Sequence, residues 1–237
     1  MPTSLTSKFL QGVGVTTLSS IAGFFVWTKH IQVNDLNPVT DPVFATKWYK
    51  KLNANGNPTL HDEVVRRLPL WTLRPELVED AKNGGSKLVE GFSQGVWGTF
   101  GYSIQRRYLA AKYRNTTTTA HQLWDKPDLL SSPYNIGTEI TDHFVVLDKT
   151  PTSILIRCGD SPLKSPDGQR PSDGLFEISA ETDFDKGFAE FRLKSVFFQG
   201  EGVVEDKTKE PMDARTKWAH QQYAKLWMES AVRHVRS

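Results

Sequence analysis

Asp142 and His143 stand side by side in GTEITDHFVVLDKT, and their types suit proton transfer. The run reads as a β-strand, and neighbours on a strand point to opposite faces, so the two cannot form an acid–base dyad with each other. Asp142 shares its parity with Ile140, Phe144 and Val146, while His143 goes with Thr141, Val145 and Leu147. If the Phe144 face is the core, Asp142 points inward. A carboxylate there needs a cation or hydrogen-bond donors. Arg157, on the next strand, is the candidate partner. Asp142 is therefore the expected catalytic acid or base, with a structural ion pair or a strand-edge position as the alternative.

Cys158 shares its parity with Ile154 and Ile156 and reads as a small buried hydrophobe. No His sits at a spacing that would activate it as a nucleophile. Gly159-Asp160-Ser161-Pro162 reads as a strand-ending turn. Glu177 and Gln199 are candidates for a pocket rim, and Tyr102, Gln105 and Arg106 lie on the flank of a long helical pattern. The six histidines show no metal spacing, so no metal is expected. No glycine-rich phosphate loop follows a strand and no Gly-x-Ser-x-Gly elbow occurs, so no nucleotide or other cofactor is expected.

These side chains must be positioned by a β-meander and two helices. From Gly137 to Gly200, four runs alternate apolar with polar residues between turn signals. Ala189, Phe191, Leu193, Ser195 and Phe197 share one face; Phe176, Ile178 and Ala180 continue it. Glu177 and Glu190 can meet Arg192 and Lys194 across the wet face. Gly187 supplies the positive φ of the connecting turn. The greasy face needs a cover, and two long helices can provide it. The first runs from Ser86 to Tyr113, with Leu88, Phe92, Val96, Phe100, Ile104 and Tyr108 on one ridge. Gly91, Gly95 and Gly98 form a neighbouring stripe, which suits close packing or room for a ligand; a break near Gly98–Gly101 would also fit. The second starts near Pro211, carries Ala219, Tyr223, Leu226, Trp227 and Ala231 on its apolar stripe, and ends near His234. Val64–Leu73 reads as an edge or irregular strand, because Pro69 cannot donate to a ladder.

The chain of 237 residues, 38% apolar and 11% aromatic, can build a substantial core. A net charge of +2 without a basic, aromatic-interleaved cluster argues against nucleic acid. A single cysteine excludes an intramolecular disulfide. Residues 9–28 carry no charge and match a bilayer span in length. Their Gln, Ser, Thr and Gly content favours a soluble helical tail over an anchor. The expected protein is cytoplasmic or peripherally membrane-associated, with residues 9–28 as the candidate membrane contact or single N-terminal anchor. Residues 1–38 read as an N-terminal segment and linker, and 39–237 as one domain.

The blocks GVWGTFGYSIQRRYL, SPYNIGTEITDHFVVLDKTPTSILIRCGDSP, SDGLFEISA, LKSVFFQG and WAHQQYAKLWMESA resemble a group of uncharacterised fungal proteins. That group is similar to a domain-of-unknown-function branch of the START-like (SRPBCC) superfamily, and the match covers residues 64 to 234. The resemblance implies an α+β helix-grip fold: an antiparallel meander packed on a long C-terminal helix and a second long helix. It implies an apolar ligand held between them. A cofactor-independent cyclase or pericyclase of fungal secondary metabolism, such as a Diels–Alderase, is one expectation; a non-catalytic lipid or hydrophobic-metabolite carrier, membrane-tethered or not, is the other. The expected pocket takes Phe92, Val96, Phe100 and Tyr102 from the first helix and Phe144, Arg157, Phe176, Phe191 and Phe197 from the sheet. Tyr223 and Trp227 close it from the last helix.

Overall fold

The computed structural model describes residues 22–163, 165 and 168–237. Residues 9–21 of the uncharged segment thus lie outside the described residues. Residues 22–27 are helical, and Trp27 stacks on Phe100 at 5.8 Å beneath the guanidinium of Arg233. Among the described residues, no helix is long and apolar enough to cross a membrane.

The fold is α+β. Its strands are β1 (Gln32–Asp35), β2 (Thr59–Pro69), β3 (Glu139–Ile140), β4 (Phe144–Lys149), β5 (Ser153–Gly159), β6 (Asp173–Asp183) and β7 (Phe188–Phe198). They form one open antiparallel sheet of order β1-β2-β7-β6-β5-β4-β3. The alternation seen in sequence selects its faces. Phe144, Ile156, Phe176, Ile178, Phe191 and Leu193 join the main core. Leu155, Leu175, Val196 and Phe198 point the other way into a second core. That second core is covered by α1 (Pro42–Ala45) and α2 (Lys47–Leu52) through Val43, Phe44 and Leu52. The same outer face carries an ion network in which Lys194 meets Glu177 at 3.3 Å and Asp41 at 2.9 Å.

Two expectations about the N-terminal half are corrected. β2 lies between β1 and β7, not at an edge. Pro69 is tolerated because it is the last residue of the strand, paired with Phe188. Residues 32–35, read as linker, are β1, so the sheet extends across the boundary expected at residue 38.

The helices over the inner face are α3 (Pro75–Lys82), α4 (Lys87–Gly98), α5 (Phe100–Tyr113), α6 (Lys126–Ser131) and α7 (Ala214–Val232). The pattern read as one helix over 86–113 is two, parted at Thr99, whose φ of −96° and ψ of −174° are extended. The ridge parts with it: Leu88, Phe92 and Val96 are buried, whereas Phe100, Ile104 and Tyr108 are exposed. The last helix begins after Pro211, capped by the Asp213 carboxylate, which accepts from the amides of Arg215 (2.8 Å) and Thr216 (3.0 Å).

The glycine stripe serves packing. A Cβ on Gly95 would stand 2.4 Å from the Ala231 carbonyl oxygen, one on Gly101 2.2 Å from Ser230 Oγ, and one on Gly98 2.5 Å from Leu130. These glycines bring α4 and α5 against α7 and α6. Trp97, missing from the sequence-derived pocket, fills the centre, with Phe144, Tyr102 and Trp227 at ring-centroid distances of 4.8, 5.0 and 5.4 Å.

Candidate functional site

An open, mostly apolar cleft of about 480 Å³ lies between the inner face of the sheet and the first half of α7. Phe144, Cys158, Phe176, Ser195 and Phe197 form its sheet wall. Thr216, Ala219, His220, Tyr223, Ala224 and Trp227 come from α7, with Gln105 of α5 and Met212 at the side. Registration explains the floor: Asp62, Ser195, Phe176, Ile156 and Val146 pair across five strands, so this row crosses from β2 to β4. The main core is full beside it. The cleft lies where α7 leaves its close packing on α4, set by Ala231 against Gly95, and its first turns carry only Ala219, His220 and Thr216 over Phe197.

Five expected residues line this cleft: Phe144, Phe176, Phe197, Tyr223 and Trp227. Tyr223 donates to Gln105 Oε1 at 3.1 Å, and burial pushes its phenol up to about 12. Trp227 Nε1 donates to the Gly101 carbonyl at 3.0 Å, tying α7 to α5. The other expected residues lie elsewhere. Phe92, Val96 and Phe191 are fully buried in the packed core, where the Phe92 and Phe191 rings meet at 4.9 Å. Phe100 faces outward to Trp27. Arg157 is on the opposite face of the sheet, held by Asp173 through Nε–Oδ1 (2.9 Å) and Nη2–Oδ2 (2.6 Å), so it is not the partner of Asp142.

The largest correction concerns Asp142 and His143. The expected strand is a hairpin: Ile140 of β3 pairs with Phe144 of β4, and residues 141–143 are its turn. Thr141 (φ 46°) and Asp142 (φ 70°) are both left-handed. This conformation costs a non-glycine residue roughly 1–2 kcal/mol. The turn is held by the Tyr102 hydroxyl against Thr141 Oγ1, by the Thr141 amide on the Leu123 carbonyl (3.2 Å) and by the His143 amide on the Thr141 carbonyl (2.9 Å). Tyr102 therefore braces the turn and does not face the cleft. Burial keeps its phenol protonated.

In a turn the parity of a strand no longer applies. Asp142 Oδ2 lies 3.1 Å from His143 Nδ1. The contact is close but off the line of a hydrogen bond, and both Asp142 oxygens lack a hydrogen-bond partner among the described residues. Asp142 is fully buried and not part of the cleft wall; His143 is. Desolvation lowers the imidazole pKa from its ordinary 6.5, against the opposing pull of Asp142 and Asp160, which leaves it neutral near pH 7. It is the imidazole, backed by the carboxylate, that meets the cleft.

A second pair completes the site. His220 of α7 places Nε2 3.2 Å from Asp62 Oδ1, and the Phe197 ring meets the imidazole edge-on at 5.1 Å. Asp62 is 1% exposed, and its Oδ2 has no hydrogen-bond partner among the described residues. Sequence reasoning missed this pair, since 158 residues separate its members. One available signal was the inward parity of Asp62 with Leu60 and Val64. Cys158 lines the cleft, with its thiol pushed up to about 12 by burial, which leaves it protonated and unreactive at neutral pH. Among the described residues no group of three or more His, Cys, Asp or Glu converges as a metal site would.

No protein-family model matches the chain, and no curated protein matches it. A solved structure of an uncharacterised protein from Rhizobium leguminosarum is similar at 13% identity, over 75% of this chain and 95% of that one, with a TM-score of 0.29. That likeness carries no argument about fold or activity.

Proposed function

We propose that the protein holds an apolar small molecule in the cleft beneath α7, on a START-like helix-grip plan, and works on it as a cofactor-independent cyclase or isomerase. The observation that carries this reading is an aromatic-walled cleft with a neutral imidazole, backed by a buried carboxylate, on its wall. An apolar wall binds and orients a greasy ligand by excluding water, and few polar groups then fix its pose. His143 supplies a general base without metal or nucleotide. The fungal secondary-metabolite setting implied by the sequence resemblance would provide such ligands. The open mouth of the cleft also suits a carrier of lipids or hydrophobic metabolites, which would bind without turnover.

Native mass spectrometry of the purified protein for retained small molecules tests the binding half. Ala219→Phe, which fills the exposed α7 side of the cleft, should abolish retention with little change in thermal stability. Equal retention in that variant would place the ligand elsewhere and end the reading.

A further inference from the structure

The two histidine–carboxylate pairs stand at opposite sides of one cleft. Asp62 is on β2, and the Asp142–His143 turn leads into β4; three strands, β7, β6 and β5, lie between. No hydrogen bond or ring contact joins the imidazoles. They are placed to meet two ends of one extended ligand, over a floor of Phe144, Phe176 and Phe197.

We propose that His143 and His220 form a two-ended proton relay acting on an extended, conjugated carbonyl compound. This rests on the ligand-binding reading above. His143 Nδ1 is turned to Asp142, leaving Nε2 for the ligand; His220 Nε2 is turned to Asp62, leaving Nδ1. Neutral His143 takes a proton from the carbon at the far end of the conjugated system. The C–H electron pair becomes a new C=C bond, the double bonds shift one place, and the carbonyl π pair moves to oxygen. That oxygen takes a proton from His220 acting as the general acid, giving an extended enol. His143 then returns its proton to a different carbon while His220 recovers the hydroxyl proton, so the product is an isomer. If the enol carbon instead attacks a second carbonyl carbon of the same ligand, that carbonyl's π pair moves to its oxygen, which takes the proton from His143, while His220 recovers the hydroxyl proton; a ring closes with no change in composition. Neither route needs an oxidant, a reductant or a further reactant. Asp142 and Asp62 are positioning residues: each lies against one nitrogen of its ring, at 3.1 and 3.2 Å, and turns the other toward the ligand.

The groups facing His143 are Asp142 and Asp160, which favour its charged form, and Lys112 and Arg170, which oppose it; Tyr113 packs on the ring at 4.6 Å. Removing the Asp142 charge should thus shift the pH midpoint of turnover downward, an effect that loss of packing alone would not produce.

The test uses β-ionone, an apolar conjugated ketone, with the full chain in D₂O. Saturation-transfer NMR measures binding, and proton NMR measures deuterium entry at the carbon conjugated through to the carbonyl. The wild type should bind and accelerate exchange about 100-fold or more over buffer, in the range of general acid–base catalysis. His143→Gln and His220→Gln should bind equally and fall to within about 10-fold of buffer. Asp142→Asn should retain part of the rate with its pH midpoint lowered. Should His220→Gln fail to fold, Asp62→Asn tests the same imidazole. Binding without accelerated exchange in the wild type, or full exchange in His220→Gln, overturns the relay and leaves the binding reading standing. Failure of the ketone to bind overturns both.

Discussion

At the residue scale, His143 is where packing and electrostatics disagree most. Its pKa is lowered on folding, with desolvation the largest cause. The folded protein therefore binds this proton less readily than the unfolded chain, so the group favours the fold above its ordinary value of 6.5. That contribution is lost as pH falls through the folded value. His234, also lowered by desolvation and by Arg74, acts with the same sign. Chemical denaturation between pH 8 and 5 should thus show falling stability toward acid, and His143→Gln should flatten the slope. An unchanged slope in the variant would assign the acid sensitivity elsewhere. Trp227 belongs to the same scale: it meets Trp97, Tyr102, Phe176 and Tyr223 with ring centroids 5.0–5.6 Å away. Trp227→Ala should cost about 3–5 kcal/mol in denaturant unfolding.

At the element scale, the contact of α4 with α7 depends on individual glycines. Gly95→Ala would drive a Cβ to 2.4 Å from a backbone oxygen that cannot move without shifting α7. Overpacking of this kind costs about 1–3 kcal/mol. Gly91→Ala meets only side-chain atoms at 3.4 Å or beyond. There the better helix propensity of alanine, up to about 1 kcal/mol, should decide the sign. Thermal melts of the two variants should move in opposite directions; a shared direction would show that propensity or helix spacing has been misjudged.

For the whole molecule, β1 protects the β2 side of the sheet. Removing residues 1–38 takes away β1 and the buried Ile31, and leaves the eleven-residue β2 as an unpaired edge. That truncation should lower the melting temperature and promote association in light scattering.

The α+β class, the meander from β4 to β7 and the faces of its strands are legible in the residues alone, because a period of two is a local property that burial of one face enforces. The residues also mark the covering role of the last helix, through the spacing of Tyr223 and Trp227. Tertiary structure alone decided the site. The Asp142–His143 turn resembles a strand in residue type, and only the pairing of Ile140 with Phe144, with Tyr102 bracing Thr141, folds it back on itself. The glycines could have made room or removed it, and the nearness of Ala231 settled that choice. His220 met Asp62 because α7 crosses β2, a long-range approach that no local pattern encodes.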